Sequence, residues 1–463
     1  MKKSKLAVGV VAILGLGYVG LAWHTGNVIE KELDNSLNDI CQQMNSVQKL
    51  FKLQITHDND EKGIFSTKTH IKISINYDQR FAPIIIYDDD IIIHHGPFPL
   101  AALKDGKLTP QQVWVEYQNS EQFNPSLWKD VGNQPFIKGH VGLSYFDNLD
   151  FNLLTQPISL GESEHVYNIF QGKLDLGTID YRFSGNIKFD KSSISIKVSK
   201  IGYQRNNGDS LLVNNLKFVN DIDYSKAYID TQTRFDDLNF DFKTKFNTPE
   251  IAIKNLIWHN KFEANSKGLN GMVNLNVDAF NYGKQEMGNG ALDFNFEGMD
   301  KSFLKHQSEL RPLLAKIGNN TSPNSKVNFK KVYWHNNEGD INFNALVDVS
   351  NFDQKTALTM GSNLNKLNQF NFKLEAPYKV LGRFIAQFVN PEKENISDEE
   401  FKTAVQNVQD IIEMAVYKSP LFIFKKDDVD GLFSEVKYLK NSEQFIINGK
   451  KMASDELLKN PTY

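Results

Sequence analysis

The chain has 463 residues, 40% of them hydrophobic, and 52 basic against 56 acidic side chains leave a formal net charge of -4. That is enough chain for one large or two medium cores, and the interspersed, near-balanced charge offers no basic field to nucleic acid. Cys41 is the single cysteine, which excludes an intrachain disulfide and a cysteine-built zinc site.

The first predicted element is an uncharged, mostly apolar run from Leu6 to Trp23, preceded by Lys2, Lys3 and Lys5. As a helix it would span about 27 Å of a hydrocarbon core about 30 Å thick, with its lysine-bearing end in the cytoplasm. Inside the run, Gly15-Leu16-Gly17-Tyr18-Val19-Gly20 matches the G-x-G-x-x-G fingerprint of dinucleotide sites. That fingerprint needs an acidic residue about 20 positions on and repeated strand-helix-strand units. Glu30, Glu32 and Asp34 come too early, and the body of the chain beyond them is almost entirely strand-like. Residues 1–25 are therefore read as an uncleaved single-pass anchor, and no cofactor is expected. A signal peptide cleaved near Gly20 and Ala22 is the competing version, and either exports the rest of the chain.

Residues 26–56 are read as a stalk helix. Leu33, Leu37, Ile40, Met44, Val47 and Phe51 recur at heptad-like spacing. The stripe suits packing on the protein's own sheet, or a parallel homodimer through the stalk in which Cys41, beside Ile40, would cross-link two chains. His57, Asp58 and Asp60 come next without a nucleophile and read as a loop.

From Ile64 the period changes to two. Ile71, Ile73, Ile75 and Tyr77 alternate with Lys72, Ser74 and Asn76, and the pattern returns around Ile194, Leu275, Phe294 and Phe343. One apolar and one wet face per strand is antiparallel behaviour. The expected class is α+β, predominantly antiparallel β: a long curved or sandwiched meander, with a first β-rich region over 57–300 and a second region over 301–463. A weak repeat runs through it, in Val213-Asn214-Asn215-Leu216-Lys217-Phe218, Ile253-Lys254-Asn255-Leu256-Ile257-Trp258 and Phe329-Lys330-Lys331-Val332-Tyr333-Trp334. It resembles the strands of AsmA-like envelope proteins, a resemblance that implies a curved sheet forming an apolar trough.

Helical spacing interrupts the strands twice. Lys301 to Ile317 carries Phe303, Leu304, Leu310, Leu313 and Leu314, with Pro312 as a kink or boundary. A helical pair lies further on: Leu381, Phe384, Ile385 and Phe388 form one stripe ended by Pro391, then Ser397 and Glu400 form a capping box ahead of Phe401, Val405, Val408, Ile412 and Ala415. Strands are expected again over 421–424, 433–439 and 445–448, with a short helical piece from Ser454.

No G-x-S-x-G elbow, H-E-x-x-H or Walker loop is present, so no catalytic or metal residues are assigned. The densest cluster is Asp88-Asp89-Asp90 with His94-His95 shortly after it; neighbours on a strand point to opposite faces, so only part of it can converge on an ion, and it reads as a solvated acidic turn followed by a buried strand. Uncovered apolar faces of the meander would instead hold lipid tails or a peptide.

The most distinctive string is His95-Gly96-Pro97-Phe98-Pro99-Leu100, in which two prolines flank one aromatic and Phe98 and Leu100 can bury themselves. With Gly63-Ile64-Phe65-Ser66-Thr67, Lys373-Leu374, Pro377 and Asn448-Gly449-Lys450-Lys451-Met452, it resembles the YdgA-like family of bacterial inner-membrane proteins. The resemblance implies a single inner-membrane span with a periplasmic domain of unknown function, and it carries over no catalytic residue. His95 to Leu100 is marked as the characteristic segment, with a structural role. Two functions stay open: a non-enzymatic envelope protein binding or scaffolding an apolar ligand such as lipid, or another envelope protein; and an envelope enzyme, hydrolytic or metal-dependent, with a site near His94 and His95.

Overall fold

The computed structural model describes residues 52–453 except 77–81, 162–171, 189, 243–247, 300–323, 351–363, 418 and 441–443, together with helical residues among 33–45. The Leu6–Trp23 run, the helix expected over Lys301–Ile317 and the piece from Ser454 lie outside the described residues. Among the described residues no helix is long and apolar enough to cross a membrane. The chain divides into two compact units, Met1–Ser159 with Asp175–Val198, and Leu160–Leu174 with Ser199–Tyr463. The expected division near residue 300 falls inside the second.

The first unit is built on β1 (Lys52–Lys62), β2 (Ser66–Asn76), β3 (Ile84–His95), β4 (Gln111–Gln118), β5 (Ile137–Ser144) and β6 (Asn148–Thr155). Two short strands, β7 (Ile158–Leu160) and β8 (Gly172–Leu176), precede β9 (Ile179–Asn186) and β10 (Lys191–Arg205); β7, β8 and β10 each run across the division, β10 belonging to this unit as far as Val198. Pairing is antiparallel throughout, in the order β1-β2-β3-β4-β5-β6-β9-β10. Strand β1 corrects the sequence reading, because His57, Asp58 and Asp60 lie in a strand and the stalk helix cannot extend to residue 56. The charged Asp58–Lys62 stretch hid a strand whose Leu53, Ile55 and His57 alternate inward. The helical stripe itself holds where it is described, since Leu33 and Leu37 are helical and half-buried.

Register gives this sheet two distinct faces. Ile71, Ile73, Ile91, Ile93, Val115, Val141, Phe151, Phe183 and Ile194 share the apolar one. His70, Asp88, Asp90, Glu116, His140, Asn152 and Arg182 share the other. The period-two pattern thus survives as a property of the whole sheet.

The second unit is a longer meander of β11 (Ser210–Asp223), β12 (Tyr228–Asp241), β13 (Ile251–Asn265), β14 (Gly268–Tyr282), β15 (Gln285–Met299), β16 (Ser325–Asn336), β17 (Gly339–Val349) and β18 (Leu367–Pro377). Each pairs antiparallel with the next. The repeat read in the sequence marks irregular positions in this sheet. Its central Asn215 and Asn255 sit at φ 52° and 48°, a left-handed backbone that asparagine tolerates better than most residues. In the third copy β16 carries one extra residue, with Phe329 opposite Ala345 and Val332 opposite Phe343. Such irregularities shift the alternation and bend the strand. They explain why Ile253 and Trp258, an odd number of residues apart, can both be apolar on one side.

After β18 the chain inserts α1 (Tyr378–Val389) and α2 (Asp398–Ala415), then returns to the sheet through β19 (Ile423–Lys426) and β20 (Val429–Leu439), which pairs with β18. β21 (Gln444–Ile447) and β22 (Lys450–Ala453) close the sheet. The expected capping box is present: Ser397 Oγ accepts from the Glu400 N–H, and Glu400 accepts from the Ser397 N–H. α1 is pinned to the sheet by polar contacts. Asn336 donates to the Val380 carbonyl at 2.9 Å, Gln387 to the Glu286 carbonyl at 2.9 Å, and Arg383 to Glu338.

Candidate functional site

On the polar face of the first unit lies a concavity of about 930 Å³, lined by Lys68, Asp90, Asp105, Lys107, Glu116, Lys138, His140, Asp150 and Arg182, among others. The distinctive string does not line it, but leads into the segment that supplies Asp105 and Lys107. His95 ends β3 fully buried, with its N–H donating to the Phe65 carbonyl at 2.9 Å. Gly96 turns the chain at φ 107°, where a side chain would be strained, and the Pro97 carbonyl accepts from the Gln111 N–H at 2.9 Å. Pro99 then caps a short helix, α3 (Leu100–Lys104), whose Ala101 and Ala102 are buried against Trp114.

That placement delivers the next residues to the concavity. Trp114 stacks on His140 with ring centroids 4.1 Å apart. His140 Nε2 lies 2.8 Å from Asp150 Oδ1 and its Nδ1 lies 3.2 Å from Asp105 Oδ2, while Lys107 donates to Asp150 at 2.5 Å. Burial alone would raise the Asp150 pKa, but hydrogen bonds from His140 and Lys107 outweigh it and hold the carboxyl below its usual range. The string also yields a correction. Phe98 and Leu100 do not bury themselves and are 40% and 75% exposed, because the prolines turn the alanines inward instead.

The acidic run corrects the sequence reading, since Asp88 to Asp90 lie within β3 and not in a turn, and it splits by strand alternation. Asp88 and Asp90 face His70, whose Nε2 and Nδ1 lie 2.9 and 3.0 Å from their oxygens, with Lys72 and Lys68 completing a cross-strand zipper. Asp89 points the other way and accepts from the Ser120 N–H. His94 lies 2.7 Å from Glu116, whereas His95 is on the opposite face beside Thr67. Among the described residues no group of three or more His, Cys, Asp or Glu side chains could hold a metal ion.

The zipper sets a pH dependence. Hydrogen bonds to Asp88 and then Asp90 raise the His70 pKa above 6.5. Burial pushes Asp88 up, yet His70 and Lys72 bring it below 3.8, and Lys68 and His70 do the same for Asp90. A raised histidine stabilises fully below its unfolded pKa and loses that contribution as pH rises through the folded one. The depressed carboxylates stabilise above their unfolded pKa and lose their contribution as pH falls through the folded one. The zipper therefore contributes most between about pH 4 and pH 6.5. Comparing melting temperatures of the parent and His70→Gln from about pH 5 to pH 9 should show a gap that closes as pH rises. A gap independent of pH would remove His70 from the account.

Sequence reading missed Asp105, Lys107, Trp114, His140 and Asp150. They lie far apart in the chain, and only strand register and the seat of α3 unite them. The acids of the concavity each face a base, and Asp90 and Asp150 are held low, so they act as ionised acceptors rather than proton donors.

The chain is 27% identical to Protein YdgA of Escherichia coli (strain K12) over 184 residues, which is 38% of this chain and 36% of YdgA. That match therefore spans little over a third of the relative's length. Against the uncharacterized protein YihF of the same organism, identity is 20% over 501 aligned positions, covering 98% of each chain. An uncharacterized protein of Haemophilus influenzae is 25% identical over 306 residues, 55% of this chain and 80% of that one. No solved structure matches. With matches over residues 1–316 and 307–455, the chain belongs to the family described as Bacterial protein of unknown function (DUF945).

Proposed function

We propose that this is a membrane-anchored envelope protein whose second unit holds an apolar ligand of the lipid class along one face of its sheet. A row of phenylalanines carries the reading. Phe262 meets Phe296, Phe296 meets Phe294, and Phe294 meets Phe329 at 4.6 Å; Phe343, Phe372 and Phe370 continue it across β17 and β18. All of these rings are half-buried rather than enclosed. The other face carries Asn274, Asp293, Asn295, Asn328, Asn344 and Lys373.

Buried clusters close the unit at two places, around Ala227, Ala264 and Leu269, and around Val436, Tyr438 and Phe445. Between them the rings are half-buried. An extended acyl chain suits such a strip, since it removes apolar area from water without needing a polar partner. The enzyme reading has less support, because His94 and His95 lie on opposite faces of their sheet.

The test is a photoreactive phenylalanine analogue placed at Phe294, Phe329 or Phe343 of the full chain in a bacterial envelope. Lipid adducts found by mass spectrometry at these positions, and not at Asn295 or Asn328, are the expected result. Adducts at neither set, or equally at both, would sink the proposal.

A further inference from the structure

Four connections of the first unit meet at one end of its sheet. The β1–β2 turn, the 96–110 segment, the β5–β6 turn and the chain leaving β9 are brought together by the pairings Lys62 with Thr67, Ser66 with His94, Gln111 with Ser144 and Asn148 with Asn186. Each presents large apolar side chains to solvent: Ile64 and Phe65, Phe98 with Leu100 and Leu108, Tyr145 and Phe146, and Ile187. Leu100, Leu108 and Phe146 are 75%, 79% and 67% exposed. Single exposed apolar residues need no explanation, but a set drawn from every loop at one end does. At the other end, the 119–136 connection exposes none of its large apolar side chains, and Ile85 and Ile86 sit on β3 itself.

The path of the N-terminal helix says what this end faces. Asn45 exchanges hydrogen bonds with the Leu53 backbone at 2.9 and 2.7 Å, near the start of β1. Asp34 lies 3.0 Å from His57, further toward the β1–β2 turn. Followed back from Asn45 to Asp34, the chain therefore heads for the apolar end. Only about 17 Å of strand separates His57 from Lys62, within reach of the few residues between Asp34 and Trp23.

We infer that this end of the first unit rests in the headgroup layer of the bilayer that receives the Leu6–Trp23 run, with Leu100, Leu108 and Phe146 dipping toward the acyl chains. The inference rests on the proposed anchor. It also gives the two prolines a task, since they hold Phe98 and Leu100 outward while the alanines behind them seat on Trp114. Apolar and aromatic side chains on a surface of this kind are favoured at the boundary between headgroup and acyl chain.

The experiment uses the full chain carrying Cys41→Ser, which removes the only native thiol, and one new cysteine at Leu108, Phe146 or Glu121. Each variant, checked for the parent's circular dichroism, carries an environment-sensitive fluorophore in vesicles of phosphatidylethanolamine and phosphatidylglycerol containing a spin-labelled quencher lipid. Labels at Leu108 and Phe146 should be quenched several-fold more than the label at Glu121, which lies at the opposite end. Alkaline carbonate extraction of the same vesicles reads the anchor separately. Water-like, unquenched emission at all three positions in a carbonate-resistant chain overturns the docking and leaves the anchor standing. Quenched labels in a chain that carbonate releases support the docking and remove the anchor; unquenched labels in a released chain overturn both.

Discussion

Replacing Trp114 by alanine is expected to cost the first unit about 3–5 kcal/mol, the usual range for emptying a large buried aromatic site. The ring is fully buried, lies face to face with His140, and is roofed by Ala101 and Ala102. Across β5, Gly142 makes room for it, since a Cβ there would stand 2.4 Å from Trp114 Cε3. Removing the ring takes away the floor of α3 and one face of His140 at once, so the loss should spread to Asp105 and Lys107. Amide exchange in residues 100–118 should speed up about 100-fold or more. Trp114→Phe should recover most of the stability, because the indole N–H is buried without a hydrogen-bond partner and its removal strands no other group. Parent-like exchange in Trp114→Ala would mean that the concavity is organised by something other than this ring.

How much of this could be read from the chain depends on the range of the interaction. Alternation is local, so the apolar faces of both sheets were legible in the sequence, as were the helical pair and the Ser397–Glu400 capping box. The Asn215 and Asn255 repeat was visible too, but its meaning was not, because a left-handed residue within a strand leaves no trace in hydropathy beyond a slipped period. β1 escaped because Asp58, Asp60, Glu61 and Lys62 are charged. The concavity escaped for a different reason. Glu116 meets His140, and His140 meets Asn152, only through the registers of β4, β5 and β6. The exposure of Leu100 was hidden similarly, since hydropathy cannot tell that smaller alanines fit the seat beneath Trp114.

Gly382→Leu should separate the helical pair while leaving the sheet intact. A Cβ on Gly382 would lie 2.5 Å from Val405 Cγ2, and also 2.8 and 2.9 Å from the Val405 Cα and N. The first contact can be relieved by a side-chain rotation, but the other two are backbone and require one helix to move. α1 is the less free to do so, held by Asn336 on Val380, Gln387 on Glu286 and Arg383 on Glu338. α2 buries only Ala404 fully and leaves Ile411 and Met414 exposed, so α2 should yield. Overpacking of this kind costs about 1–3 kcal/mol, and leucine, larger than the alanine that already clashes, belongs at the upper end. Alanine should be milder, since it regains about 1 kcal/mol of helix propensity over glycine. Exchange of the α2 amides in Gly382→Leu should rise by about 10- to 100-fold with α1 and β16 unchanged. Equal loosening of α1 and β16 would show instead that the two helices and the sheet open as one unit, and that α1 is not pinned independently of its partner.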